Sequence, residues 1–203
     1  MKIYTYQDDL QADVNPGRVV AIDTETMGLV TKRDRLCLVQ ISFGDDEAHL
    51  IQISSPIGQC PNLKKLFSNP EITKLFHFAR FDLSVLTQSI GPIIGPVYCT
   101  KIASKLVRTY TDKHGLRDLC RELLKIDISK QQQSSDWGNI QLTEEQKVYA
   151  ANDVLYLHQL KEQLDRMLER ENRSEIANDC FNFLRTRVEL DIGGFEDLDI
   201  FHH

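Results

Sequence analysis

Residues 18–53 read RVVAIDTETMGLVTKRDRLCLVQISFGDDEAHLIQI. The run at 18–24 is β-branched and apolar and ends in acid, the pattern of a buried strand with a carboxylate at its lip. MGLVTKRD (27–34) reads as a turn. LCLVQISF (36–43) and AHLIQI (48–53) read as two more strands, and the intervening GDD marks a hairpin. This stretch therefore demands an antiparallel component in the sheet.

Outward from it, PNLKKLFS (61–68) opens with Pro61 at a suitable first helical position. ITKLFHF (72–78) predicts a further strand, and ARFDLSVLTQSI (79–90) a helix closed by Gly-Pro. Two helices are expected at 99–110 and 114–125. The polar stretch 127–142 lacks periodicity and reads as a loop. Thr143 and Gln146 form a capping-box pattern that opens one long helix, about 143–170. Another is expected over about 173–188, with Ile176, Ala177, Cys180, Phe183, Leu184 and Val188 on one face. Strands first and helices later argue for an α/β layer with a mixed sheet, antiparallel plus parallel, and helices on its faces. The chain reads as one domain over 1–203, with a C-terminal helix and tail at 171–203. The tail from 188 carries five acids and no Lys or Arg, with a helix-breaking Gly193-Gly194 pair, and reads as a solvated end. Its apolar residues Ile192, Phe195, Leu198, Ile200 and Phe201 could instead pack on a neighbour.

Composition narrows the function. The 203 residues carry 24 basic and 30 acidic side chains, a net charge of −6. Such a chain is a poor non-specific binder of long duplexes, which reward many phosphate contacts. No apolar run approaches the roughly 18–20 residues that span a bilayer, so no membrane role is expected. The N-terminus MKIYTYQDDL lacks the features of a signal peptide. Five cysteines without CxxC spacing read as reduced and buried, in a cytoplasmic protein. No His or Cys pair has zinc-ligand spacing.

The chemistry lies in acids with apolar neighbours. Asp23 and Glu25 are two apart on a strand, so both point to one face. Paired carboxylates repel unless a cation lies between them, and hard oxygen donors suit Mg²⁺ or Mn²⁺. Asp82 sits in HFARFDLSVL, near a helix start. Tyr149 and Asp153, four apart in VYAANDVLYLHQL, share one helix face with the small Ala150 and Ala151 between them.

Together, AIDTETMGL, HFARFDLSVL and YAANDVLYL resemble the three motifs of the DEDD superfamily of 3′–5′ exonucleases, over about residues 18–165. The histidine branch of that family places a His five residues before the last Asp. Val148 stands there in this chain, so the resemblance is to the tyrosine, ribonuclease D-like branch. It implies a ribonuclease H-like fold, with Asp23, Glu25, Asp82 and Asp153 as catalytic metal ligands and Tyr149 orienting or activating the attacking water. Two divalent ions, Mg²⁺ or Mn²⁺, about 3.5–4 Å apart would stabilise the attacking and leaving oxygens.

DTETMGLVTKRDRLCLVQIS, HFARFD and QQSSDW are similar to a compact group within this branch, the nano-RNase C type oligoribonucleases. That resemblance implies hydrolysis of short single-stranded RNA, particularly dinucleotides, to nucleoside 5′-monophosphates. It also implies a ring-shaped homo-oligomer, with an octamer as the form suggested. The candidate substrate contacts begin with Thr24, Met27, Gly28, Leu29 and Phe81 around the first two motifs. Leu29 would wedge between two bases, or else is a turn residue packing on its own core. His77 could bond sugar or phosphate, or be a satisfied strand-end histidine. Residues 98–125 carry seven bases and three acids, so Lys101 and Arg108 are candidates for a phosphate cap. Gln133, Ser135 and Trp137 occupy the polar loop, where Trp137 could stack on a base or anchor the loop. The rival expectations are a general exonuclease on longer single-stranded RNA or DNA, and a non-catalytic nucleic-acid-binding protein on the same fold.

Overall fold

A computed structural model describes residues 1–54, 60–129 and 131–202. Lys130 of the expected loop and His203 of the expected tail lie outside the described residues. Among the described residues, six strands form one sheet in the order β1-β4-β3-β2-β5-β6. They are β1 (Lys2–Gln7), β2 (Val19–Thr26), β3 (Leu36–Ser42), β4 (Glu47–Gln52), β5 (Thr73–Phe76) and β6 (Val97–Cys99). The meander β2-β3-β4 is antiparallel, as the hairpin signal required. β1 runs parallel to β4, β5 to β2, and β6 to β5. The sheet is thus the mixed, ribonuclease H-like arrangement expected.

β3 is buried along its whole length, and Val20, Ala21 and Ile22 of β2 have no exposed surface. The helices are α1 (Pro61–Phe67), α2 (Ala79–Ser89), α3 (Thr100–Val107), α4 (Leu116–Leu119), α5 (Glu144–Leu155), α6 (Leu157–Arg170) and α7 (Ser174–Ile192). Pro61 starts α1, where its fixed φ and missing N–H cost nothing. The capping box at α5 is formed in both directions, Thr143 Oγ1 accepting from Gln146 N and Gln146 Oε1 from Thr143 N. The main core packs strand residues such as Ile22, Ile41 and Phe76 with Leu83, Leu160 and Leu164 of the helices. A smaller cluster, including Leu38, Leu50, Trp137, Leu142 and Ala150, lies where α5 meets β3 and β4.

The expected helix 143–170 is two helices, broken at Tyr156. No proline or glycine marks the break, and the leucine stripe runs through it. What changes is the packing partner: α5 lies on β2, β3 and β4, whereas α6 packs on α3, β2, β5 and α7. The helix expected at 99–110 ends at Val107, and the one expected at 114–125 begins at Leu116 and loosens into a π-helical turn over Cys120–Leu124. β1 and β6 were not expected; one is an exposed edge strand and the other only three residues long.

The tail expectation also needs correction. α7 continues to Ile192, and Asp191 is buried rather than solvated. Its carboxylate accepts from Arg80 Nε and Nη2 at 2.6 and 2.8 Å and pairs with Arg187 Nη2 at 2.9 Å. The same arginines donate to the carbonyls of Phe195 and Glu196. This clamp fixes the end of α7 to the start of α2. Asp191→Asn removes the charge that both arginines share, and is expected to cost about 2 kcal/mol. Denaturant unfolding measures it, and unchanged stability would contradict the clamp.

Candidate active site

The carboxylates come from three elements meeting at one end of the sheet. Asp23 and Glu25 alternate with Thr24 on β2 and so share a face. Asp153 reaches them from α5. Oxygens of Asp23, Glu25 and Asp153 all lie within 4.8 Å of one another. Asp82, in the first turn of α2, is buried beside them. That turn is entered through Phe78, which adopts the left-handed conformation at φ 68°. An L side chain pays about 1 kcal/mol to sit there.

Burial drives the electrostatics. Desolvation first, then the neighbouring acids, pushes Glu25 up to about 9 and Asp23 well above the usual carboxylate range. Desolvation likewise raises Asp82 and Asp153 to about 7. Neighbouring hydroxyls oppose this: Thr24 Oγ1 donates to Asp82 Oδ1 at 2.7 Å, and the Tyr149 hydroxyl, one turn along α5, favours the ionised Asp153. Burial and the acids around it raise the Tyr149 phenol far above its ordinary value. A set of hard oxygen donors, crowded and half-desolvated, suits divalent cations, which would offset the repulsion.

The other expected residues divide. Leu29 is 85% exposed, so it does not pack on its own core. It lines a groove of about 300 Å³ with Phe78, Phe81 and Ser84. Gly28 presents it: a Cβ there would meet Asp34 Oδ2 at 2.3 Å, and Asp34 accepts from the Val30 N–H. Met27 is half exposed, and its sulfur lies over Gly138 of the polar loop. Lys101 places its ammonium 4.1 Å from the centre of the Phe78 ring. His77 Nδ1 shares a 2.8 Å hydrogen bond with Thr100 Oγ1. Gln133 is exposed on the loop, and Ser135 Oγ accepts from Gln146 Nε2.

Three of the expected contact residues have buried side chains. Arg108 is wholly buried, held by Glu122, Ser104 Oγ and the Lys113 carbonyl, so it is not a surface phosphate cap. Trp137 is buried with its ring 5.9 Å from that of Tyr149, which makes it the loop anchor and leaves no open face for a base. Thr24 is buried and gives its hydroxyl to Asp82, so it positions that acid. Two residues near the site went unflagged. Phe78 gave no sequence signal of its left-handed conformation. Gln40 did give one, as the lone amide in a wholly buried strand.

Comparison with known proteins agrees with this geometry. A family model described as 3′–5′ exonuclease matches residues 4–169. Ribonuclease D of Jannaschia sp. is 33% identical over 159 residues, which cover 76% of this chain and 41% of that protein. The chain thus spans about two fifths of the length of such curated relatives. Brucella melitensis NrnC with bound Mg²⁺ is 53% identical, with a TM-score of 0.95 and full coverage of both chains. The same Brucella protein bound to pGG is 54% identical, with a TM-score of 0.96, covering 100% of this chain and 99% of that one.

The raised carboxyls predict a pH signature. A carboxyl with a raised folded-state pKa stabilises fully below its unfolded value, near 4, and loses that contribution as pH rises through the folded value. In chelator, the melting temperature should therefore fall between about pH 5 and about pH 9, and Asp153→Asn should flatten the fall. Equal slopes in the two proteins would contradict the coupling of Asp153 to the buried acids.

Proposed function

Because the chain belongs to the 3′–5′ exonuclease family, in its ribonuclease D-like part, we propose that it hydrolyses short RNA, dinucleotides above all, to nucleoside 5′-monophosphates. The observation that carries this is the convergence of Asp23, Glu25 and Asp153 oxygens within 4.8 Å, with Asp82 and Tyr149 beside them. In this reading the four carboxylates hold two divalent cations, Mg²⁺ or Mn²⁺. Bound there, the cations supply Lewis-acid stabilisation of the charge that builds on the phosphodiester and make water a stronger nucleophile. Thr24 keeps Asp82 in place through its 2.7 Å hydrogen bond. Tyr149, one turn from Asp153 on α5, orients the attacking water.

Support for a short substrate comes from the groove lined by residues that flank Glu25 and Asp82 in the chain. Exposed Leu29, facing Phe78 and Phe81, offers apolar surface for bases. The Brucella relative's complex with pGG fits the same reading. Residues 1–203 serve as one exonuclease domain. Exposed Ile176, Phe183, Leu198 and Phe201 on α7 and the tail suit contact with further copies of the chain in a ring. No described helix is long and apolar enough to cross a membrane. All five cysteines are free and four are buried, which suits a reducing cytoplasm.

Asp23→Ala and Asp153→Ala are expected to abolish turnover, and Tyr149→Phe to lower it by about 10²–10⁴-fold. Release of mononucleotide from a 5′-phosphorylated dinucleotide, with and without chelator, checks these; full activity in Asp153→Ala would contradict the metal assignment. A second assay compares chain lengths. Rates should fall from the dinucleotide to the heptanucleotide, with Leu29→Ala narrowing the difference. Equal rates at all lengths would favour a general exonuclease.

A further inference from the structure

β3 carries one polar side chain that nothing in the fold satisfies. Gln40 has no exposed surface, and neither its Oε1 nor its Nε2 has a hydrogen-bond partner among the described residues. A buried unpaired amide costs about 1–3 kcal/mol, and an apolar residue of similar volume would avoid that cost. Its surroundings offer no relief. Leu38 lies two residues away on the same face, Leu50 lies directly opposite on β4, and both pack with Ala150 of α5.

What lies on the other side is the acid site. In the antiparallel β2/β3 pair, Gln40 is the cross-strand partner of Asp23, as Leu38 is of Glu25. Directly opposed residues project to the same face with Cβ atoms about 4.5–5.5 Å apart. The carboxamide is therefore packed next to Asp23, under the helix that brings Tyr149 and Asp153. It makes no direct hydrogen bond to the Asp23 carboxylate, so a small polar group must come between them for both to be satisfied. A hydrated Mg²⁺ supplies one, because that ion dehydrates reluctantly and keeps several waters in a protein site.

We propose that Gln40 is a positioning residue of the cation site, its carboxamide hydrogen-bonding water that hydrates the ion held by Asp23, and that it thereby sets cation affinity. The inference rests on the nuclease reading of the acid cluster. Groups in this relation to a metal commonly change its affinity by about 10–100-fold when removed.

The test is a Mg²⁺ titration read as melting temperature, on wild type, Gln40→Leu and Gln40→Met, each starting from chelated protein. Gln40→Leu should leave the cation-free melting temperature equal or higher, while the Mg²⁺ concentration that gives a fixed rise in melting temperature increases about 10–100-fold. A purely structural glutamine would show the reverse, a lower cation-free melting temperature with the same Mg²⁺ concentration for that rise. A folded variant that reaches the same rise at a Mg²⁺ concentration within about twofold of wild type overturns the proposal. If Gln40→Leu does not fold, the unbranched Gln40→Met carries the same comparison. A wild type with no Mg²⁺-dependent gain overturns the nuclease reading and this one together. A wild-type gain that persists unchanged in the variants overturns this one alone.

Discussion

Like charges forced together without water are the constraint on which the rest depends. Asp23, Glu25, Asp82 and Asp153 are brought to one end of a sheet whose neighbouring residues are almost all apolar, and their pKa values rise together. A protein without a use for that arrangement would gain stability by losing it. The strain is affordable only because the elements carrying it are rigid: β2 is hydrogen-bonded on both sides, and α2 and α5 pack directly on the sheet. Divalent cations convert the repulsion into attraction, so the same crowding that costs the empty fold gives the occupied site its affinity.

The fold serves this by drawing the four carboxylates from one strand and two helices. The strand contributes two through its period of two, and α5 contributes Asp153 and Tyr149 through its turn. α2 contributes Asp82 after a left-handed entry at Phe78. The loop carrying Gly28 and Leu29 follows directly from the end of β2, so the exposed leucine is fixed relative to the acids by a few residues of chain. At the far end of the chain, the Arg80–Asp191–Arg187 clamp ties α7 to the residue two before Asp82. The groove is thus lined by residues 29–32 after β2, by Phe78, Phe81 and Ser84 at the start of α2, and by Asp191 and Glu196 from the end of the chain.

Much of this was legible in the residues. The Asp23/Glu25 and Tyr149/Asp153 spacings each place two functional groups on one face through local geometry alone, and the hairpin at 44–46 announces itself by composition. What stayed hidden depends on tertiary partners. The break at Tyr156 has no local breaker, because it follows from α5 and α6 packing on different surfaces. Arg108 looked like one more base on a basic helix, yet Glu122, fourteen residues on, folds over it and takes it into the interior. Trp137 sits in a polar loop, but the sheet face beneath has space for its ring beside Tyr149. β1 is an exposed edge strand with only Ile3 and Tyr6 half-buried, too little apolar signal to stand out.

The central claim is that the four acids clasp a pair of divalent ions, and the most direct measurement is anomalous scattering from crystals soaked in Mn²⁺. The account predicts two peaks, both within coordination distance of oxygens drawn from Asp23, Glu25, Asp82 and Asp153. No peak there at saturating Mn²⁺, or peaks confined to other surface acids, would contradict it.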